Sequence, residues 1–376
     1  MKVSNGLIRS ALVSVIVGCC VAAGNGLDPG ARGENPFAPA YGHPYRHGAV
    51  PTREAFEKMK AWEASRPLAP AVPSLFGLLN TLSFGGGIDG IGVTSSTPRV
   101  YLVFYGSQWT GGGDPDGAAT YLQHLFAGIG TGGELWSGTM TQYCDGPTVS
   151  PGATSCPSGA PHVGYPASGA LAGVWFDTAG PSPSNASAAQ LAAEAARAAA
   201  HFGNTTPAAN RYVQYVVVSP SGTHPDGFNT ITSNFCAWHD YTGSSYGDLA
   251  FTNMPYVTDL GQSCGQNFVN SGSAGTLDGF SIVNGHEYAE TITDQNPPGG
   301  WTNWLTGEEN ADECAWISSG QGAAANVSMG NGAYAMQSTW SNDTNECDIS
   351  HPIVSGGAAG GSPPPPPPPP PRGGGD

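Results

Sequence analysis

The chain has 376 residues, enough for one large domain with accessory segments. Glycine (56) and proline (33) are frequent and only 11% of residues are charged, a composition of loop-rich extracellular domains rather than cytosolic ones. From 96 to 354 only three Lys/Arg face 21 Asp/Glu, a balance that disfavours nucleic-acid binding.

Residues 1–23 read as an export signal. Lys2 and Arg9 give a short basic start, and "ALVSVIVGCCVAA" is an apolar run too short to span a bilayer. Val21-Ala22-Ala23 suits a signal peptidase. Ile16-Val17-Gly18-Cys19 resembles a lipobox, so a lipid-anchored Cys19 at the cell surface is the alternative to plain secretion. No other run is long and apolar enough for a transmembrane span.

Residues 24–95 form a propeptide or an N-terminal extension. "TREAFEKMKAWEAS" predicts a short helix with Thr52 at its N-cap, and "FGGGIDGIG" reads as a flexible connection. This segment carries six basic residues: Arg32, Arg46, Arg53, Lys58, Lys60 and Arg66. A mildly basic segment ahead of a strongly acidic domain points to a propeptide docked on it, with His43 and His47 candidates for holding it on a metal.

The domain spans 96–354. "RVYLVFYG" (99–106) and "RYVQYVVVSPSG" (211–222) read as buried strands. "AATYLQHLFAGI" predicts an amphipathic helix. "SAAQLAAEAARAAAHFG" predicts a second, with Ser187 and Gln190 as its capping box and Gly203 at its end. "DGFSIVNGHEYAETITD" predicts a third, with Asp278 near its N-cap, and "GAYAMQSTWSN" (332–342) alternates like a late strand. Interleaved strands and helices predict an α/β or α+β fold. Residues 355–376 are a Gly/Pro-rich tail with nine consecutive prolines, either a stiff rod or a disordered end.

Apart from Cys19 and Cys20, six cysteines remain: Cys144, Cys156, Cys236, Cys264, Cys314 and Cys347. An even number in an exported chain implies disulfides. Pairing of sequence neighbours (144–156, 236–264, 314–347) costs the least loop entropy.

The chemistry concentrates in "VNGHEYAETITD" (283–294). Residues four apart share a helix face, so His286 and Glu290 point the same way and Asp294 extends the row. The pattern resembles the His-Glu-x-x-His helix of zincins, with glutamate in place of the second histidine. There the first and fifth positions hold the metal, and the second-position carboxylate, here Glu287, takes a proton from the attacking water. After Glu290 eighteen residues intervene before Glu309, the spacing of the third ligand in gluzincins, and "PPGG" (297–300) supplies the reversal. Asp312 is placed to orient His286. No Lys or Arg occurs from Tyr212 to Pro371, so clustered carboxylates need a divalent cation, raised pKa values, or solvent between them.

In order along 99–347, "VYLVFYGSQW", "YVVVSPSG", "FCAWHDYT", "LDGFSIVNGHEYAETITD", "EENADEC" and "MQSTWSNDTNEC" resemble segments of the exordium, or phosphate-induced protein, family of secreted proteins. That resemblance implies export and places Glu309, Asp312 and Cys314 on the family's Glu-x-x-Asp-x-Cys motif. It differs after Cys236, where Trp238 and His239 follow without the family's second cysteine. It implies no particular reaction.

Three functions are expected from these residues. The first is a secreted zincin-like metallopeptidase made as a zymogen, a single domain with disulfide-stapled loops acting on protein or peptide substrates. His286, Glu290 and Glu309 hold Zn2+, Glu287 is the general base, His239 a transition-state donor, and Asp312 and Asp294 support them. The second is an acid-acting peptidase whose carboxylates share protons without metal. The third is a non-catalytic cell-wall or cell-surface protein with structural Ca2+. "GGGDPDG" offers Asp114 and Asp116 as a calcium turn, with a solvated turn the alternative. Ser221 and His224 are close only in sequence, which does not make a triad.

Overall fold

The computed structural model describes residues 35–65 and 81–354. The expected signal segment with Cys19, the proline-rich tail, Arg32 and Arg66 lie outside the described residues.

A six-stranded mixed sheet sits at the centre of an α+β arrangement. Four strands are mutually parallel: β3 (Arg99–Tyr105), β4 (Leu171–Asp177), β5 (Val213–Val218) and β7 (Gly247–Met254). β6 (Phe235–Ser244) runs antiparallel to β7, and β1 (His47–Pro51) runs antiparallel to β6 at the edge. The sheet order is β1-β6-β7-β5-β3-β4. Every residue of β5, "VQYVVV", is buried, as a central parallel strand covered on both faces requires.

Alternation along β5 shows what covers each face. Tyr215 Oη donates to Asn210 and accepts from Asn204, beside α3 (Ala188–His201) and α4 (Pro207–Asn210). The neighbouring Gln214 faces the other way, and its Nε2 donates to Thr252, Thr291 and the Glu287 carbonyl. The last two lie on α5 (Asp278–Thr293), so α5 packs on the face opposite α3, beside α2 (Ala118–Gly128). The capping box of α3 forms as expected, and Gly203 beyond it takes the left-handed conformation.

All 16 residues of α5 are buried. Asp278 is its first residue, and its carboxylate accepts from the Val269 and Asn270 amides, tying the preceding loop rather than capping the helix. At the other end Asp294 leaves the helix, and its Oδ1 accepts from Gly300 N at 2.6 Å. That bond closes the "PPGG" reversal. The chain then forms β8 (Trp301–Asn303), which pairs with β2 (Leu82–Phe84). The stretch read as a flexible connection, 84–92, is therefore anchored in the core by buried Phe84 and by Leu82 and Val93 on either side.

"GAYAMQSTWSN" is two strands rather than one. β10 (Gly332–Met336) pairs with β9 (Ala325–Met329), and β11 (Thr339–Ser341) pairs with β12 (Glu346–Asp348). The break falls at Gln337 and Ser338. Three disulfides, Cys144–Cys156, Cys236–Cys264 and Cys314–Cys347, join the sequence neighbours. Among the described residues no helix is long and apolar enough to cross a membrane. With the disulfides, this is compatible with an extracellular protein.

From the N-terminal segment, α1 (Arg53–Ala64) follows β1, and the Thr52 side chain accepts from Ala55 N as the sequence predicts.

Candidate metal and catalytic centre

The centre is built where α5, β6 and the loop after β8 meet. Helical spacing puts His286 and Glu290 on one face of α5, with Nε2 and Oε1 3.1 Å apart. The reversal after α5 and the turn at Asp312–Cys314, stapled by Cys314–Cys347, bring Glu309 and Asp312 back to that face. Asp312 Oδ1 lies 3.5 Å from His286 Nε2, and its backbone N donates to Glu290 Oε1 at 2.9 Å. Asp312 Oδ2 accepts from Glu309 N. From β6, His239 places Nε2 3.2 Å from Glu309 Oε2 and 3.8 Å from Glu290 Oε2.

Two overlapping groups of metal-capable donors result: His239, Glu290 and Glu309, and His286, Glu290 and Asp312. Glu290 belongs to both, with Oε1 on the His286 side and Oε2 on the His239 side. The sequence-expected set of His286, Glu290 and Glu309 is thus distributed over two groups. His239, expected as a transition-state donor, stands among the donors themselves. Asp312, expected as a support for His286, stands beside the same Nε2 that faces Glu290. Asp294 lies at the helix end on Gly300 and in neither group.

His286, Glu287, Glu290, His239 and Glu309 are each at most 1% exposed, whereas the Asp312 side chain is 17% exposed and forms the solvent side of the centre. The Nε2 atoms of both histidines and both carboxylate oxygens of Glu287 make no hydrogen bond. Four-coordinate zinc with bonds of about 2.0–2.1 Å holds neighbouring donors about 3.3 Å apart. The 3.1, 3.2 and 3.5 Å separations fit that edge length.

Gln337, at the break between β10 and β11, fixes the His286 ring. Its Nε2 donates to the carbonyls of Ala311 (2.8 Å) and Ser338 (3.2 Å), which turns Oε1 to His286 Nδ1 at 3.1 Å. That acceptor places a proton on Nδ1, so Nε2, which faces Glu290 and Asp312, is the nitrogen that could ligate a cation once its own proton is displaced.

The electrostatics follow from burial. Burial pushes the Glu287 carboxyl well above the ordinary range; His286 opposes this, and Glu290, Asp312 and Glu309 add to it. Glu290 is pushed up to about 7 by burial and by Asp312, against His286. Burial lowers the pKa of His286, yet Glu290 and Asp312 together carry it well above its usual value. For His239 burial wins over the surrounding carboxylates and its pKa falls. Three arginines of the fold are engaged elsewhere: Arg46 with Asp226, Arg211 with Asp145, and Arg197 with Asp177 and Glu194.

Gly48 of β1 lies directly against this centre. A Cβ there would run into Glu290 Oε2 and come within 2.6 Å of His239 Nε2. Neither Gly48 nor Gln337 was marked in the sequence, since each acts through a contact remote along the chain.

The remaining candidates have other roles. Asp114 accepts from the Ala118 and Ala119 amides and from Tyr256 Oη, so it caps α2, and Asp116 accepts from Thr258. Ser221 donates to Asp259, while His224 Nδ1 meets the Phe228 carbonyl, so the two make no triad. His43 contacts Tyr45 Oη, and His47 Nε2 lies 3.9 Å from Asp240. No family model, no curated protein and no solved structure matches the chain.

Proposed function

We propose that the protein is a secreted metal-dependent endopeptidase, hydrolysing peptide bonds at the centre around Glu290. The observation that carries this reading is the convergence of nitrogen and carboxylate donors in a buried centre. Two imidazole Nε2 atoms face three carboxylates at zinc-edge distances, and Gln337 holds one imidazole in the tautomer that ligation needs. Mixed N/O donors of this kind suit zinc, and they also admit manganese or iron.

When bound, the cation would polarise the substrate carbonyl and make water a better nucleophile at neutral pH. His286, Glu290, His239, Glu309 and Asp312 would supply the donors. Glu287 acts as general base: it is one position along the helix from His286, is buried, and has both oxygens available to accept a proton from the attacking water. The proton it accepts would then pass to the leaving amine. Gln337 keeps the His286 ring oriented throughout. The likeness of "EENADEC" to the exordium motif supports a shared site and export, and leaves the reaction to the geometry.

The raised carboxylates favour a second reading, the acid-acting peptidase whose buried pairs share protons. Digestion of casein by the exported protein, with metal analysis and with and without a chelator, separates the readings. Stoichiometric zinc and loss of cleavage on chelation are expected. Cleavage near pH 3 that survives chelation would replace the first reading by the second. Bound calcium with no cleavage of any protein would make it the non-catalytic wall protein.

A further inference from the structure

The N-terminal segment does not merely lie near the centre; it occupies a strand position over it. β1 adds to the free side of β6 in antiparallel register, with His47 opposite His239, Val50 opposite Ala237 and Pro51 opposite Phe235. Between His47 and Val50 the spacing is three residues on β1 against two on β6. One extra residue is therefore bulged out of the ladder. The bulge contains Gly48, whose φ of +47° and contact with His239 both exclude a side chain. The backbone of residue 48 thus rests on Glu290 and His239, where a scissile peptide would have to lie.

The flanking residues are held as a bound peptide is held. Arg46 Nε meets Asp226 Oδ2 at 2.8 Å, Nη2 donates to the Asp226 carbonyl, and the guanidinium lies over the Phe235 ring. Tyr45 packs edge-on against Trp238 of β6. Val50 is fully buried, and Trp316 Nε1 donates to the Pro51 carbonyl at 2.9 Å. Main-chain pairing supplies affinity and the alternate side chains supply selectivity, the pattern of strand addition to a sheet edge.

We propose that the edge of β6 is the binding groove for an extended polypeptide with a small residue over Glu290, and that residues 45–52 of the chain are its internal occupant. The substrate class rests on the peptidase reading above; the occupancy does not. A segment bulged at Gly48 fills the groove without presenting a regular extended bond to Glu287, so it blocks the centre while it stays docked.

The test uses the full chain with Gly48→Val, which forces β1 off Glu290 and His239, and separately Arg46→Ala, which removes the flanking anchor. Hydrogen exchange at the β6 amides is measured. So is binding of a labelled peptide of residues 41–52, against the same peptide with valine in place of Gly48. The expected result is a loss of β6 protection of about 10- to 100-fold for Arg46→Ala, the change for losing a charge-assisted hydrogen-bonded pair. Either variant should bind the glycine peptide and not the valine one, and the wild type should bind neither. If Gly48→Val does not fold, Arg46→Ala carries the test. Unchanged β6 protection in the folded variants, or an exposed β6 that binds no peptide, would overturn the inference. Peptide binding without casein cleavage would uphold it and remove the peptidase reading instead.

Discussion

Replacing Gln337 by leucine tests whether the centre is built for ligation. The side chain makes three polar contacts in a buried setting: Oε1 on His286 Nδ1, and Nε2 on the carbonyls of Ala311 and Ser338. Leucine keeps the approximate volume and leaves all three partners without it. A buried polar group left unpaired costs about 1–3 kcal/mol, and the three share one pocket that can partly relax, so a destabilisation of roughly 2–4 kcal/mol is expected. The second effect is on the cation. Partners that orient a ligating histidine are worth about 10–100-fold in metal affinity, or roughly 1.4–2.7 kcal/mol. Gln337→Glu keeps an acceptor for Nδ1–H and should restore most of that affinity while still losing the donor to Ala311 O. Competition against a chromophoric chelator measures affinity, and thermal denaturation of the same samples measures stability. A Gln337→Leu protein that melts like the wild type and binds zinc equally tightly would show that His286 Nε2 is not presented as a ligand.

Glu287→Gln should bind the cation as the wild type does and lose cleavage by a factor of about 10²–10⁴, the usual worth of a general base; retained casein cleavage would remove Glu287 from that role. Stability of the cation-free protein should fall as pH rises. Glu290 is an acid whose folded pKa, about 7, exceeds its ordinary 4.5, so the folded state keeps a proton that the unfolded chain releases. The loss begins near the lower value and is complete above the higher, about 3 kcal/mol in all. His286, a base raised in the fold, loses its contribution in the same direction, while His239, a base lowered by burial, offsets part of the loss. Melting of the chelated protein at pH 5 and pH 8 checks this, and a higher melting temperature at pH 8 would contradict it. Replacing Cys314 and Cys347 together by serine opens a loop of 33 residues and should cost about 3–4 kcal/mol. It should also weaken the cation, because that disulfide staples the turn carrying Asp312; unchanged cation affinity in a folded variant would mean the turn holds itself.

What the sequence made legible is what local chemistry dictates. The capping box of α3, the cap at Thr52, the pairing of neighbouring cysteines and the shared face of His286 and Glu290 depend on residues close along the chain. β6 was not legible in the same way. "FCAWHDYTGS" buries its first five residues and then runs out to solvent, so neither a continuous apolar run nor a clean alternation marks it. Without β6 as a strand, His239 had no defined neighbours, and its place among the donors depends on a register that only the sheet sets. Gln337 was hidden for a related reason. A sequence that alternates across 332–342 conceals the break at 337–338 that turns its amide onto His286.

On the metal-centre reading proposed above, the burial of α5 gives a reason for glutamate at the fifth helix position. A helix closed in on every side, carrying Glu287 and Glu290 and facing Glu309 and Asp312, leaves these charges weakly screened. A second histidine at 290 would reduce that repulsion, but it would present a single atom to its neighbours. A carboxylate presents two, and Glu290 turns Oε1 to His286 and Oε2 to His239, so one side chain joins the helix half of the centre to the sheet half. Gly48 rests on that same Oε2. On the inference drawn above, a strand that leaves β6 would uncover the atom that links the two halves.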